Sequence, residues 1–231
     1  QARLMNLKYD VFITNPPYAG NRYLTAEIST YLNKNYPDVK SDLFSSFIEY
    51  SFNVTKENGQ IGFMTPFVWM FISSYEKLRR NIINNRTIRS LVQLEYSGFD
   101  GATVPICTFT LRNYRSEIKG EYVRLSDFRG SENQPIKTLE AVQNPSVSYR
   151  YSFNQENFSK IPGNPIAYWV SNAITTAFAK NKSISDFGKP CKGIDTGNNS
   201  VFLRFWFEVD VKEIGLGFNS YEDAQQSDYK Y

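Results

Sequence analysis

The stretch Tyr9-Asp-Val-Phe-Ile-Thr-Asn-Pro-Pro-Tyr-Ala-Gly-Asn-Arg22 decides the fold. Tyr9–Thr14 is a short apolar run of strand-forming residues, and an asparagine and two prolines end it abruptly. In an open α/β sheet, ligands bind beyond the carboxyl ends of the strands, so this loop is where a site is expected. Consecutive prolines fix φ, keep the path extended and leave carbonyls without competing N–H donors. The Asn15 side-chain oxygen and the Pro16 carbonyl can together accept both hydrogens of an exocyclic amine, and Tyr18 offers a flat face for stacking a planar ring.

Downstream, the elements repeat in α/β order. A helix is expected from Ser41 or Asp42, with Leu43, Phe44, Phe47, Ile48 and Phe52 at helical spacing and Gly59 as its stop. Gln60–Thr65 reads as a buried strand ended by Pro66, and Ser74–Asn84 as a second helix with Tyr75, Leu78 and Ile82 on one face. "TIRSLVQLE" and "VPICTFTLRN" read as third and fourth strands closing the sheet with an antiparallel hairpin. Residues 19–40 read as a polar loop. Lys77-Leu-Arg79-Arg80 reads as a solvated helix face. Past Arg115 the pattern loosens: "GEYVRLSDF" is strand-like, residues 131–160 are polar and turn-rich, and a helix is expected from Pro165 to Ala179.

Composition narrows the chemistry. The 231 residues are 41% hydrophobic with a net charge of +3, so nucleic-acid contact must come from local patches rather than a global field. There is no histidine, and the two cysteines, Cys107 and Cys191, lack metal-ligand spacing. His-based catalysis and most zinc sites are therefore excluded, and no metal site is expected. Cys107 lies in an apolar run and reads as a buried reduced thiol. With no signal-peptide pattern and no apolar run of the ~20 residues that span a bilayer, a cytoplasmic protein without membrane contact is expected.

"FITNPPY" resembles motif IV of the S-adenosylmethionine-dependent amino-methyltransferases that methylate N6 of adenine. "SDLFSSFIEYSF", "ENGQIGFMTP" and "YSGFDGATVPICTFTLRN" resemble that family's motifs V, VI and VIII, in order, over residues 8–115. The tail "GIDTGNNSVFLRFWFEV" is similar to the segment opening the target-recognition region of large restriction-modification methyltransferases, and closer still to the BREX phage-exclusion PglX family.

The resemblance implies an α/β fold: the C-terminal part of a Rossmann-like methyltransferase sheet, followed by the start of a target-recognition region. Residues 1–115 would be the catalytic half, 116–180 a connecting helical region and 181–231 the truncated recognition region, its basic and aromatic run Arg204–Phe207 suiting a DNA-facing strand. Asn15 and the Pro16 carbonyl would hold the adenine amine, Tyr18 and Phe99 would sandwich the flipped base, and Pro17 and Phe47 would pack on the cofactor's adenine ring. For Phe47, plain core packing explains its position equally well.

The implied cofactor is S-adenosyl-L-methionine, although the family's Gly-rich cofactor-binding segment does not precede Asn15 here. The implied partners are double-stranded DNA and other defence-system subunits, and a chain with an open sheet edge could self-associate through it. Three alternatives carry over: a protein-glutamine N5-methyltransferase with the same tetrapeptide, a cytosine-N4 methyltransferase, where serine usually replaces Asn15, and a degenerate scaffold or specificity module.

Overall fold

The computed structural model describes residues 7–96, 98, 104–191 and 197–229. Contacts divide the chain into two units, Gln1–Lys182 and Ser183–Tyr231.

The first unit is built on a six-stranded mixed sheet: β1 (Tyr9–Thr14), β2 (Thr55–Pro66), β3 (Thr87–Gln93), β4 (Ile106–Arg112), β5 (Gly120–Arg124) and β6 (Arg150–Phe153). Their spatial order is β1-β2-β4-β3-β5-β6. β1 runs parallel to β2 and β3 parallel to β5, whereas β4 is antiparallel to both of its neighbours. The expected antiparallel β3–β4 pair is present, and β4 returns into the gap between β2 and β3. The carboxyl ends of β1, β2, β3 and β5 therefore all open toward one end of the sheet.

The first helix, α1 (Ala26–Asn35), lies in the stretch expected to be a loop. Thr25 caps it by accepting from Ile28 N. Its apolar signal is faint because only Leu32 is buried. The second, α2 (Leu43–Val54), starts as expected: Asp42 accepts from Phe44 N, and Phe44, Ile48 and Phe52 form the buried stripe. It does not run to Gly59. β2 begins at once at Thr55, and the buried amide of Asn113 donates to the carbonyls of Phe52, Thr55 and Lys56, so a side chain does the work expected of a terminal glycine. Gly59 instead lies where β1 and β2 change register; a Cβ there would sit 2.5 Å from Thr55 Cγ2 and 2.8 Å from Asp10 O.

The third helix, α3 (Glu76–Asn85), packs Leu78, Ile82 and Ile83 on the same sheet face as α2. There Phe63 and Phe109 stack at 5.6 Å, and Trp69 lies 5.0 Å from Phe109. Arg79 corrects the reading of a solvated basic face: it is buried, and its guanidinium donates to the carbonyls of Trp69, Ile72, Gly163 and Asn164. One cation thus gathers the turn after β2 and the loop before Pro165.

Beyond Arg115 the chain extends the same sheet with β5 and β6. A fourth helix, α4 (Asn133–Gln143), forms within the turn-rich region and covers the opposite face, with Val123, Leu125 and Ala141 as a small second core. The helix expected from Pro165 begins only at Asn172, as α5 (Asn172–Lys180). Residues before it pack as irregular chain: Ile166 N bonds Met70 O, and Tyr168 stacks on Tyr122 at 4.6 Å. Val11 and Ile13 of β1 face away from α2 and are 54% and 77% exposed.

The second unit, among its described residues, has no strand. Trp206–Glu208 is a 3-10 turn rather than the expected DNA-facing strand, and the exposed rings of Phe205 and Phe207 stack at 5.3 Å. Residues 193–196 of the glycine-rich tail motif lie outside the described residues. No described helix is long and apolar enough to cross a membrane.

Candidate active site

Three loops meet at the carboxyl end of the parallel strands. Asn15-Pro16-Pro17-Tyr18 leaves β1, Phe67–Ile72 leaves β2, and Leu94–Tyr96 leaves β3. Backbone bonds lace the last two to the start of β4: Phe67 N to Pro105 O at 2.7 Å and Leu94 N to Ile106 O at 3.0 Å.

Within the first loop, Pro16 is buried while Asn15, Pro17 and Tyr18 are exposed. The Tyr18 hydroxyl donates to Asn15 Oδ1 at 2.7 Å and lies 3.1 Å from Met64 O on β2. Its ring meets Phe44 of α2 edge-on at 6.4 Å. Partial burial pushes the Tyr18 phenol above its ordinary pKa, with the neighbouring Cys107 thiol adding to the effect. Tyr18 is therefore a neutral donor at physiological pH. Asn15 Oδ1 has two lone pairs, so one remains for a substrate amine after Tyr18 has taken the other.

The chain after Tyr18 is tied to α2. Asp42 Oδ1 accepts from Ala19 N at 3.0 Å and from Phe44 N at 3.2 Å, and Leu43 N donates to Ala19 O at 3.0 Å. Burial raises the Asp42 carboxyl above its usual range, and those backbone donors offset part of the rise. Cys107 is wholly buried under the loop, 3.9 Å from Thr65 Oγ1, and burial pushes its thiol up to about 12. It is protonated and inert.

Phe47 sits on the flank of α2. It is partly buried against the core, and it also lines a cavity between α1 and α2. Phe99 lies outside the described residues. Tyr96, which sequence reasoning passed over, is 56% exposed and meets Phe67 edge-on at 5.8 Å, so an aromatic does stand at the carboxyl end of β3. The signal was its place directly after an apolar strand. Among the described residues, no cluster of three or more His, Cys, Asp or Glu could hold a metal ion.

Strand order and loop placement together define an α/β fold with a mixed six-stranded sheet and its loops gathered at one end. The same sheet recurs in the type ISP restriction-modification enzyme LlaGI, solved as a nuclease-deletion mutant with a DNA substrate mimic: TM-score 0.52 and 14% identity over 73% of this chain and 16% of that one.

Residues 2–99 match the family model described as Eco57I restriction-modification methylase. The chain is a homologue of two adenine-specific methyltransferases. It is 34% identical over 219 residues, 93% of its length, to PglX of Lacticaseibacillus casei (strain Zhang), and 33% identical over 218 residues, 91% of its length, to BrxX of Escherichia coli O9:H4 (strain HS). It spans 18% and 17% of those relatives. Methyltransferase relatives of this kind imply S-adenosylmethionine as the methyl donor.

Proposed function

We propose that the protein carrying this chain is a DNA adenine-N6 methyltransferase of a restriction-modification or BREX-type defence system, using S-adenosylmethionine. The observation that carries the reading is the exposed Asn15 amide oxygen, held by Tyr18 at the carboxyl end of β1 with one acceptor site to spare. An adenine at Asn15 also suits the names of the relatives better than a cytosine or glutamine acceptor does.

In this reading the cofactor supplies an electrophilic methyl group on a sulfonium. Asn15 Oδ1 and the Pro16 carbonyl accept the two N6 hydrogens, which localises the nitrogen lone pair and aims it. The N–C bond forms as the S–C bond breaks, and the surplus N6 proton leaves to solvent. No strong acid or base is needed, so positioning and hydrogen-bond acceptance carry the rate. Tyr18 and Phe99 stack on the extruded base, and Pro17 and Phe47 contact the cofactor's adenine ring.

Residues 2–99 hold the acceptor side of such a site. The Gly-rich segment for the cofactor's methionine and ribose would come from elsewhere in a protein the length of PglX. Residues 181–231 would begin target recognition on double-stranded DNA, with other defence subunits as partners.

The test is methyl incorporation into plasmid DNA by the whole protein, with the modified base mapped by sequencing. N6-methyladenine that disappears in Asn15→Ala is the expected result. Absence of N6-methyladenine from the wild type, or full activity of Asn15→Ala, overturns the reading.

A further inference from the structure

Between α1 and α2 lies a cavity of about 630 Å³. α2 lines it with Leu43, Phe47 and Tyr50, one helical face at i, i+4 and i+7, turned away from the buried stripe of Phe44, Ile48 and Phe52. α1 lines it with Ile28, Tyr31 and Leu32. The cavity opens to solvent, and its volume is within the roughly 300–1,000 Å³ of ligand pockets. The walls are apolar and aromatic, with Tyr31 and Tyr36 packed at 6.1 Å, and Glu27 is the charged group in the lining.

The cavity also has a fixed relation to the Asn15 loop. The bonds from Ala19 to Asp42 and Leu43 pin that loop to the first turn of α2, and Phe47 lies one turn further along. A molecule seated against Phe47 thus borders the loop that presents the acceptor oxygen.

We propose that Ile28 and Tyr31 of α1 form the second wall of a purine-nucleoside pocket, clamping the adenosine end of the methyl donor against Phe47. The proposal rests on the methyltransferase reading and adds to it residues that none of the family motifs contains. Two aromatic walls suit a flat heterocycle. Tyrosine hydroxyls and the Glu27 carboxylate suit an exocyclic amine and ribose hydroxyls, which donate. The same carboxylate, exposed at the rim, disfavours a phosphate beside it.

Calorimetric titration of the whole protein with S-adenosylhomocysteine tests this. Tyr31→Ala and Ile28→Ala should each weaken binding about 3- to 10-fold, and Tyr31→Phe, which keeps the ring and loses the hydroxyl, should weaken it less than Tyr31→Ala. Both α1 side chains are substantially exposed, at 57% for Tyr31 and 39% for Ile28, so the variants should melt with the wild type. Adenosine should bind more tightly than adenosine monophosphate.

Unchanged affinity in both alanine variants overturns the inference. If Phe47→Ala alone weakens binding while the wild type still methylates adenine, the α1 wall falls and the methyltransferase reading stands. If the wild type neither binds S-adenosylhomocysteine nor methylates DNA, both fall.

Discussion

The Tyr18 hydroxyl donates to Asn15 Oδ1 at 2.7 Å, locking the ring and the amide of one loop to each other. A phenol carries one proton, and the shorter contact gives it to Asn15 Oδ1, whose second lone pair stays free. Met64 O, 3.1 Å away, holds the same hydroxyl against β2. In the proposed reaction Tyr18 therefore has two separable jobs, orienting Asn15 with its hydroxyl and stacking with its ring.

Tyr18→Phe separates them. Losing a net hydrogen bond of ~1 kcal/mol should slow methyl transfer about fivefold, while Tyr18→Ala also forfeits stacking of ~1–3 kcal/mol and should slow it further. Steady-state kinetics on duplex DNA reads both. A Tyr18→Phe rate equal to wild type would refute an orienting role for the hydroxyl, and equal rates for the two variants would refute stacking by the ring.

Asn15→Ala removes an acceptor aimed at the reacting nitrogen, and losses of this kind cost about 10²–10³ in rate. The side chain is exposed and bonded only within its own loop, so the melting temperature should stay close to that of wild type. A large drop in melting temperature would instead mark Asn15 as structural.

Arg79→Lys should destabilise the fold by about 2 kcal/mol or more, although it keeps the charge. A lysine ammonium cannot reproduce a fork that reaches four carbonyls, and each stranded buried carbonyl costs about 1–3 kcal/mol. Urea unfolding measures it. A midpoint equal to wild type would count against the clamp.

Cys107 gives a pH signature. Its thiol is held up to about 12 in the folded state against an ordinary value of 9.0, so between those limits the native state keeps a proton that the unfolded chain releases. Stability from this group is complete below pH 9 and is lost as pH rises toward 12. Relative to Cys107→Val, the wild type should lose up to ~1.4 kcal/mol per pH unit in that window. At pH 8, iodoacetamide should label Cys191 in the native protein and Cys107 only after denaturation, since the former is exposed and the latter buried.

Much of this was legible locally. Asp42 as a cap, Phe44, Ile48 and Phe52 as a stripe, and Asn15 at a strand end all follow from spacing along a few residues. α1 was missed because Ile28 and Tyr31 face a cavity instead of the core, leaving a weak periodic signal. Arg79 was misread because nothing near it in sequence foretells carbonyls at Gly163 and Asn164.

By itself, then, the sequence determined the elements and the chemical character of the Asn15 loop, since caps, helical periodicity and proline geometry act over a few residues. Only the tertiary structure decided that β4 slots between β2 and β3, that Tyr18 spends its hydroxyl on Asn15, and that Phe47 faces α1 across a cavity. Those outcomes depend on which distant surfaces bury one another, and a local pattern records that a face is apolar without recording what it meets.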